Sequence, residues 1–137
     1  EEPPVPEPLP PQAPAILRKA NCAAALALSR LGKAGHPFAG QLAKLSASAD
    51  AELRLACLEA LGDMGSRGQP HTEAVLERLH DEEPSVRAAA VATLGRMAQL
   101  GAKLGAEAVA QMAGVLADSD HNVRCAAALA LADVGGP

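Results

Sequence analysis

The string Cys-Ala-Ala-Ala-Leu-Ala-Leu occurs twice in this chain, once from Cys22 and again from Cys125. A chain that repeats itself is constrained to a repeat architecture, in which each copy buries its apolar surface against the next. Set in register, the sequence holds four copies of one segment: Ala20–Gly32, Leu53–Gly65, Val86–Ala98 and Val123–Gly135. Their starts lie 33, 33 and 37 residues apart. In each copy the apolar positions fall at i, i+3, i+4, i+7, i+8 and i+11. In the second copy these are Leu53, Ala56, Cys57, Ala60, Leu61 and Met64. In the last they are Val123, Ala126, Ala127, Ala130, Leu131 and Val134. That spacing is one stripe along an α-helix. Small residues in its middle let a neighbouring helix come close, and larger ones at its ends fill the gap. Gly32, Gly65 and Gly135 offer the left-handed stop common at helix C-termini.

A second helix is expected before three of the copies, at Pro37–Leu45, His71–Leu79 and Ala106–Leu116. Polar turns follow at Ser46–Glu52, His80–Ser85 and Ala117–Asn122, where Asp and Pro cap the next helix. The unit is helix, turn, helix, loop. One unit cannot bury both faces alone, whereas stacked units can. Residues 98–104 carry four extra residues, which a loop between units absorbs. The pattern from Ile16 to Leu31 stands as a half-repeat or cap. Composition agrees. The chain is 49% hydrophobic, chiefly Ala and Leu, with no Trp or Tyr and a single aromatic, Phe38. Helix formers dominate, and the aromatic residues that strands favour are scarce. The expected fold is an all-α, right-handed α-solenoid of stacked antiparallel helix pairs, with about three full repeats plus an N-terminal half-repeat.

Residues 1–14 hold seven prolines and read as an extended, disordered linker ahead of a repeat domain at 15–137. Its Pro-x-x-Pro spacings, such as Pro8 to Pro11, read first as spacer. Glu1 in place of Met, and Gly135-Gly136-Pro137 just after a helical pattern, suggest a fragment of a longer protein. The net charge of -4 gives no electrostatic reason to expect a nucleic-acid partner. No apolar run reaches the roughly 20 residues of a membrane span. Cys22, Cys57 and Cys125 are odd in number, far apart and each inside a helical pattern. They read as reduced, partly buried thiols in a reducing, cytoplasmic compartment. His36, His71, His80 and His121 read as surface residues, and no cofactor or metal is expected.

The strings Asp81-x-x-Pro84-x-Val86-Arg87-x-Ala89-Ala90-x-x-x-Leu94-Gly95 and Asp118-x-x-x-x-Val123-Arg124-x-Ala126-Ala127 resemble the HEAT-repeat pattern. The match is to its short variety of roughly thirty residues, also found in phycobilin lyase subunits, and it covers residues 16–137. The resemblance implies a ladder in which Asp and Arg pair within and between units. Asp81 with Arg87 and Asp118 with Arg124 fit it at a spacing of six. The second unit has Ser48 at the Asp position but keeps Arg54, and the first has Asn21 at the Arg position. The ladder is therefore expected to weaken toward the N-terminus. Surface pairs of this kind contribute only about 0–1 kcal/mol each, so their role is to set register. An enzyme of the class, deoxyhypusine hydroxylase, holds iron through His-Glu pairs directly after the repeat Arg. This chain has Leu55-Ala56, Ala88-Ala89 and Cys125-Ala126 there, and such side chains cannot ligate iron. No catalytic residue is expected.

Two surfaces are candidates for binding. The turns are acidic, through Glu52, Asp81, Glu82, Glu83, Asp118 and Asp120, while the loops between units lean basic, through Arg30, Lys33, Arg67, Arg96 and Lys103. Stacking would place the two sets along opposite edges, and the acidic one could steer a basic partner segment. The second surface is the i+6 row of the second helices, Leu26, Glu59, Ala92 and Leu129, for which contact with a neighbouring repeat is the first expectation. The expected function is a monomeric protein–protein interaction scaffold. The alternative is a non-catalytic or chaperone-like subunit of a modifying enzyme such as a phycobilin lyase.

Overall fold

The computed structural model describes residues 22–25, 27 and 38–135. The Pro-rich linker, the repeat-like positions Asn21, Leu26 and Gly32, and most of the first copy lie outside these residues. Residues 22–25 and 27 are helical. Beyond them the described residues form six α-helices, α1 (Ala39–Leu45), α2 (Ala51–Met64), α3 (Thr72–Glu77), α4 (Pro84–Gln99), α5 (Ala106–Gly114) and α6 (His121–Gly135), and no strand. Helices α1, α3 and α5 are the first members of three pairs, and α2, α4 and α6 the second members. The second helices carry most of the contact between pairs, with α4 packed along both α2 and α6.

The turn chemistry expected of Asp and Pro starts these helices. Asp50 Oδ1 accepts from Glu52 N at 3.1 Å at the head of α2. Pro84 opens α4, where a missing N–H costs nothing. Asp120 Oδ1 accepts from Asn122 N at 2.8 Å and Val123 N at 3.2 Å at the head of α6. Each first helix tightens to 3₁₀ bonding in its last turn: Ser48 N donates to Leu45 O, Asp81 N to Arg78 O and Asp118 N to Val115 O, at 2.9–3.2 Å. The chain thus reverses at the same place in every unit. At the other end of α2, Gly65 has φ +58, and a Cβ there would lie 2.5 Å from Leu100 Cβ. The expected glycine stop is there, with a positive φ but with ψ at -123 rather than in the left-handed helical region. Gly135 instead remains the last residue of α6 without a positive φ.

The stripe of α2 is buried throughout, at Leu53, Ala56, Cys57, Ala60, Leu61 and Met64. Leu58 and Val91, at i+5 and outside the stripe, are also fully buried. Helices α2 and α4 are covered on two sides, by their own first helix and by the next unit. Burying each such Leu or Val contributes about 1.5–3 kcal/mol. Small residues do set the helix spacing: a Cβ on Gly95 would sit 2.9 Å from Ala130 Cα, so α4 and α6 meet nearly backbone to backbone.

Candidate interaction surface

The ladder residues occupy one edge, where the turns join first to second helices. Three positions repeat there with the same bonds. The side-chain oxygens of Ser48, Asp81 and Asp118 accept from the backbone N–H two residues on, at 3.2, 3.0 and 2.9 Å. Their backbone carbonyls accept from Nη1 of Arg54, Arg87 and Arg124, each at 2.8 Å. The spacing of six seen in the sequence is therefore an arginine-to-carbonyl bond. Any residue can supply that carbonyl, and Ser48 does so for Arg54.

The carboxylates turn the other way, across the unit boundary. Arg54 Nη2 donates to Asp81 Oδ1 at 3.1 Å, with Nε 3.0 Å from Oδ2. Arg87 grips Asp118 through Nε to Oδ2 at 2.8 Å and Nη2 to Oδ1 at 3.1 Å. The Arg87 pair is a two-point, fork-to-carboxylate grip, the strongest geometry open to these groups, whereas at Arg54 only Nη2 makes a hydrogen bond and Nε stands at ion-pair distance. Two expectations are corrected. Asp81 does not pair its carboxylate with Arg87, nor Asp118 with Arg124. Nor are the pairs across the boundary surface pairs, since the Arg54 and Asp81 side chains are 6% and 2% exposed. Arg54 bonds both the Ser48 carbonyl and the Asp81 carboxylate, while the rung expected to weaken, between Asn21 and Ser48, involves a residue outside those described. Arg78, which the repeat pattern did not single out, adds Nη1 at 3.2 Å to Asp81 Oδ2.

Burial would raise the Asp81 pKa, but the Glu83 N–H and the Arg54 and Arg78 charges outweigh it and hold the carboxyl below its ordinary value. The bond from Arg87, then that from Asp120 N–H, lowers Asp118 likewise. The same pair raises Arg87. Asp81 and Asp118 are thus neutralised inside the stack. What the acidic edge presents to solvent is Glu52, Glu82 and Glu83, with Asp120 half-exposed at its cap. At the opposite ends of the second helices, Arg67 and Lys103 are exposed, and Arg96 lies 3.4 Å from Asp63.

The face between these edges is formed by α2, α4 and α6. Here Glu59, Ala92 and Leu129 of the i+6 row are exposed, Leu129 by 70%. Among the described residues no neighbouring repeat covers these three, and Leu26 lies outside them. Between α2 and α4 lies an open groove of ≈ 670 Å³, lined by Leu55, Glu59, Gly62, Ala89, Ala92 and Arg96 among others. The row was visible in the sequence, but the groove needs the small side chains of two neighbouring helices side by side. Of the cysteines, Cys57 is buried, Cys22 half-buried and Cys125 exposed. Burial, and then the Cys22 thiol, pushes Cys57 up to about 12. His121 Nε2 lies 3.6 Å from Cys125 Sγ.

Helix pairs joined by a repeated turn and stacked through their second helices define an α-solenoid. The chain belongs to the HEAT-repeat family: it matches HEAT repeats over residues 38–106 and 72–137. The match reaches that family and not the narrower phycobilin-lyase type. No curated protein matches the chain. No described helix is long and apolar enough to cross a membrane.

Proposed function

We propose that this chain is a non-catalytic protein-interaction scaffold whose partner segment lies along the second-helix face, its basic part turned toward the acidic edge. The observation that carries this reading is the groove between α2 and α4. Leu55, Glu59, Ala89 and Ala92 of its lining keep part of their surface outside the stack. Ala89 and Ala92 leave room for a partner's side chains, Leu55 gives it apolar surface, and Glu59 has no ion-pair partner among the described residues. HEAT repeats generally bind proteins through surfaces built from successive helices, which fits a face shared by α2, α4 and α6. Glu52, Glu82 and Glu83 add an unpaired negative field at one end, which raises the encounter rate with a basic segment more than the final affinity.

The test is quantitative capture from native lysate with three baits: the chain itself, Ala92→Arg, and Glu82→Lys with Glu83→Lys. Ala92→Arg fills the groove from an exposed position and should abolish retention of the partner. The double charge reversal should slow association and sharpen salt sensitivity. Undiminished retention by Ala92→Arg, with its helical signal intact, would remove the groove from the reading.

A further inference from the structure

Helix α4 has α2 on one side and α6 on the other, and its Ala92 is nevertheless exposed. The i+6 row therefore faces outward inside the stack as well as at its ends. The two flanks of Ala92 differ in chemistry. On the α6 flank stands Leu129, the most exposed large apolar side chain among the described residues. On the α2 flank stand Leu55, Glu59 and Asp63, four residues apart and so in one line along the helix. Carboxylates at i and i+4 repel each other. Arg96 lies 3.4 Å from Asp63 and answers that one. Glu59 has no ion-pair partner among the described residues. Glu52 and Asp133, exposed on the same side of α2 and α6, add to the excess of negative charge. The open groove between α2 and α4, ≈ 670 Å³, gives a long side chain room to reach Glu59 past Leu55 and Ala89.

The groove is also selective in what it can offer a backbone. Its one hydroxyl, Thr93 Oγ1, donates to Leu58 O at 3.0 Å. No amide side chain lines it, and nearby Gln99 Nε2 already donates to Asp133 Oδ1 at 2.8 Å. An extended segment pressed onto such a surface leaves backbone N–H and C=O groups on its covered side without partners, which costs free energy. An α-helix arrives with its backbone already bonded within itself.

We propose that the occupant of this face is an amphipathic α-helix of a partner protein, laid over Ala89 and Ala92, with an apolar residue against Leu129 and a lysine or arginine that enters the groove and pairs with Glu59. The proposal rests on the reading of this face as the partner surface, and adds the conformation and the side-chain chemistry of what binds there. The stem of the basic residue lies along Leu55 while its head meets the carboxylate. The line from Leu55 to Asp63 is about 12 Å long, so the contact takes two to three turns of the partner helix. An acidic flank in the same place would meet Glu59 and Asp63 with repulsion, and that excludes helices of the wrong charge.

Two peptide-display libraries are the probe. One presents about 18 residues on an Ala- and Gln-rich scaffold, long enough to hold a helix, randomised along one face. The other presents as many randomised residues in an extended scaffold spaced by prolines. Both are selected on the chain, and binders lost on Ala92→Arg are kept as groove-dependent. The expected result is groove-dependent binders from the helical library alone, with a lysine or arginine beside an apolar stripe. Glu59→Lys should weaken them by about tenfold or more, and exchanging the binder's basic residue for Glu should restore binding to that variant. Glu59 is exposed, so the variant should keep its helical circular dichroism. Groove-dependent binders from the extended library, or helical ones indifferent to Glu59→Lys, would overturn the proposal and leave the groove reading standing. If neither library yields a binder that depends on Ala92, the groove reading itself fails and the proposal falls with it.

Discussion

The rung between Arg54 and Asp81 and the rung between Arg87 and Asp118 join the same repeat positions and differ in surroundings. The first is dry, at 6% and 2% side-chain exposure, and Arg78 adds a second positive charge to Asp81. The second is wetter, at 15% and 12%, and holds one arginine against one aspartate. A buried charge pair contributes little over apolar packing, but breaking it from one side is costly because the surviving charge stays behind. The same motif therefore acts as an internal bolt between the first two pairs and as a softer clasp between the last two.

The largest expected effect comes from removing the carboxylates. Asp81→Ala leaves Arg54 and Arg78 without their counter-charge and should cost about 3–5 kcal/mol. Asp118→Ala leaves a guanidinium that water can reach, and should cost about 1.5–3 kcal/mol. Urea unfolding of the two variants checks the difference, and equal losses would break the comparison.

Helix spacing gives the next contrast. A Cβ on Gly95 meets Ala130 backbone at 2.9 Å, so Gly95→Ala should destabilise by about 1–2 kcal/mol despite its better helix propensity. A Cβ on Gly62 meets the side chains of Arg96 and Thr93 at 3.5 Å. Gly62→Ala should therefore gain up to about 1 kcal/mol. Opposite shifts in the urea midpoint are the expected result.

The smallest effect concerns acid. Asp81 and Asp118 have folded-state pKa values below the ordinary range, whereas in the unfolded chain an aspartate takes its proton near about pH 3.9. As pH falls past that value the unfolded state binds protons first, so the stability these groups contribute is present at pH 7 and drains away as pH falls through their folded pKa values. The Tm should hold between about pH 7 and 5 and fall below about pH 4. The gap between the parent chain and Asp118→Asn should narrow over the same acid range. Calorimetry across pH reads it.

The sequence made some of this legible and hid the rest for definite reasons. The stripe from Leu53 to Met64 was readable because a helix imposes its period on a single run of residues. Burial of Leu58 and Val91 was not, since one stripe describes a helix covered on one side, and these are covered on two. The constant spacing of six between Asp81 and Arg87 suggested a pair. It reflects a backbone carbonyl within one turn, and such local bonds keep a fixed spacing. The carboxylate partners lie 27 and 31 residues apart, and that difference is the four-residue insertion at 98–104. Bonds that cross a loop of variable length leave no constant spacing to read. For the same reason Asp81 and Asp118 read as part of a solvent-facing acidic edge, when only Glu52, Glu82, Glu83 and, in part, Asp120 remain there.

The central claim is that Arg54 and Arg87 each read the backbone of their own turn and the carboxylate of the next unit. Two double-mutant cycles sharing Asp81→Ala test it directly, one with Arg54→Ala and one with Arg87→Ala, all read by urea unfolding. The account predicts a coupling of about 2 kcal/mol or more for Arg54 with Asp81 and less than about 0.5 kcal/mol for Arg87 with Asp81. A larger coupling for Arg87 with Asp81 would contradict it and return the carboxylate to a partner within its own unit.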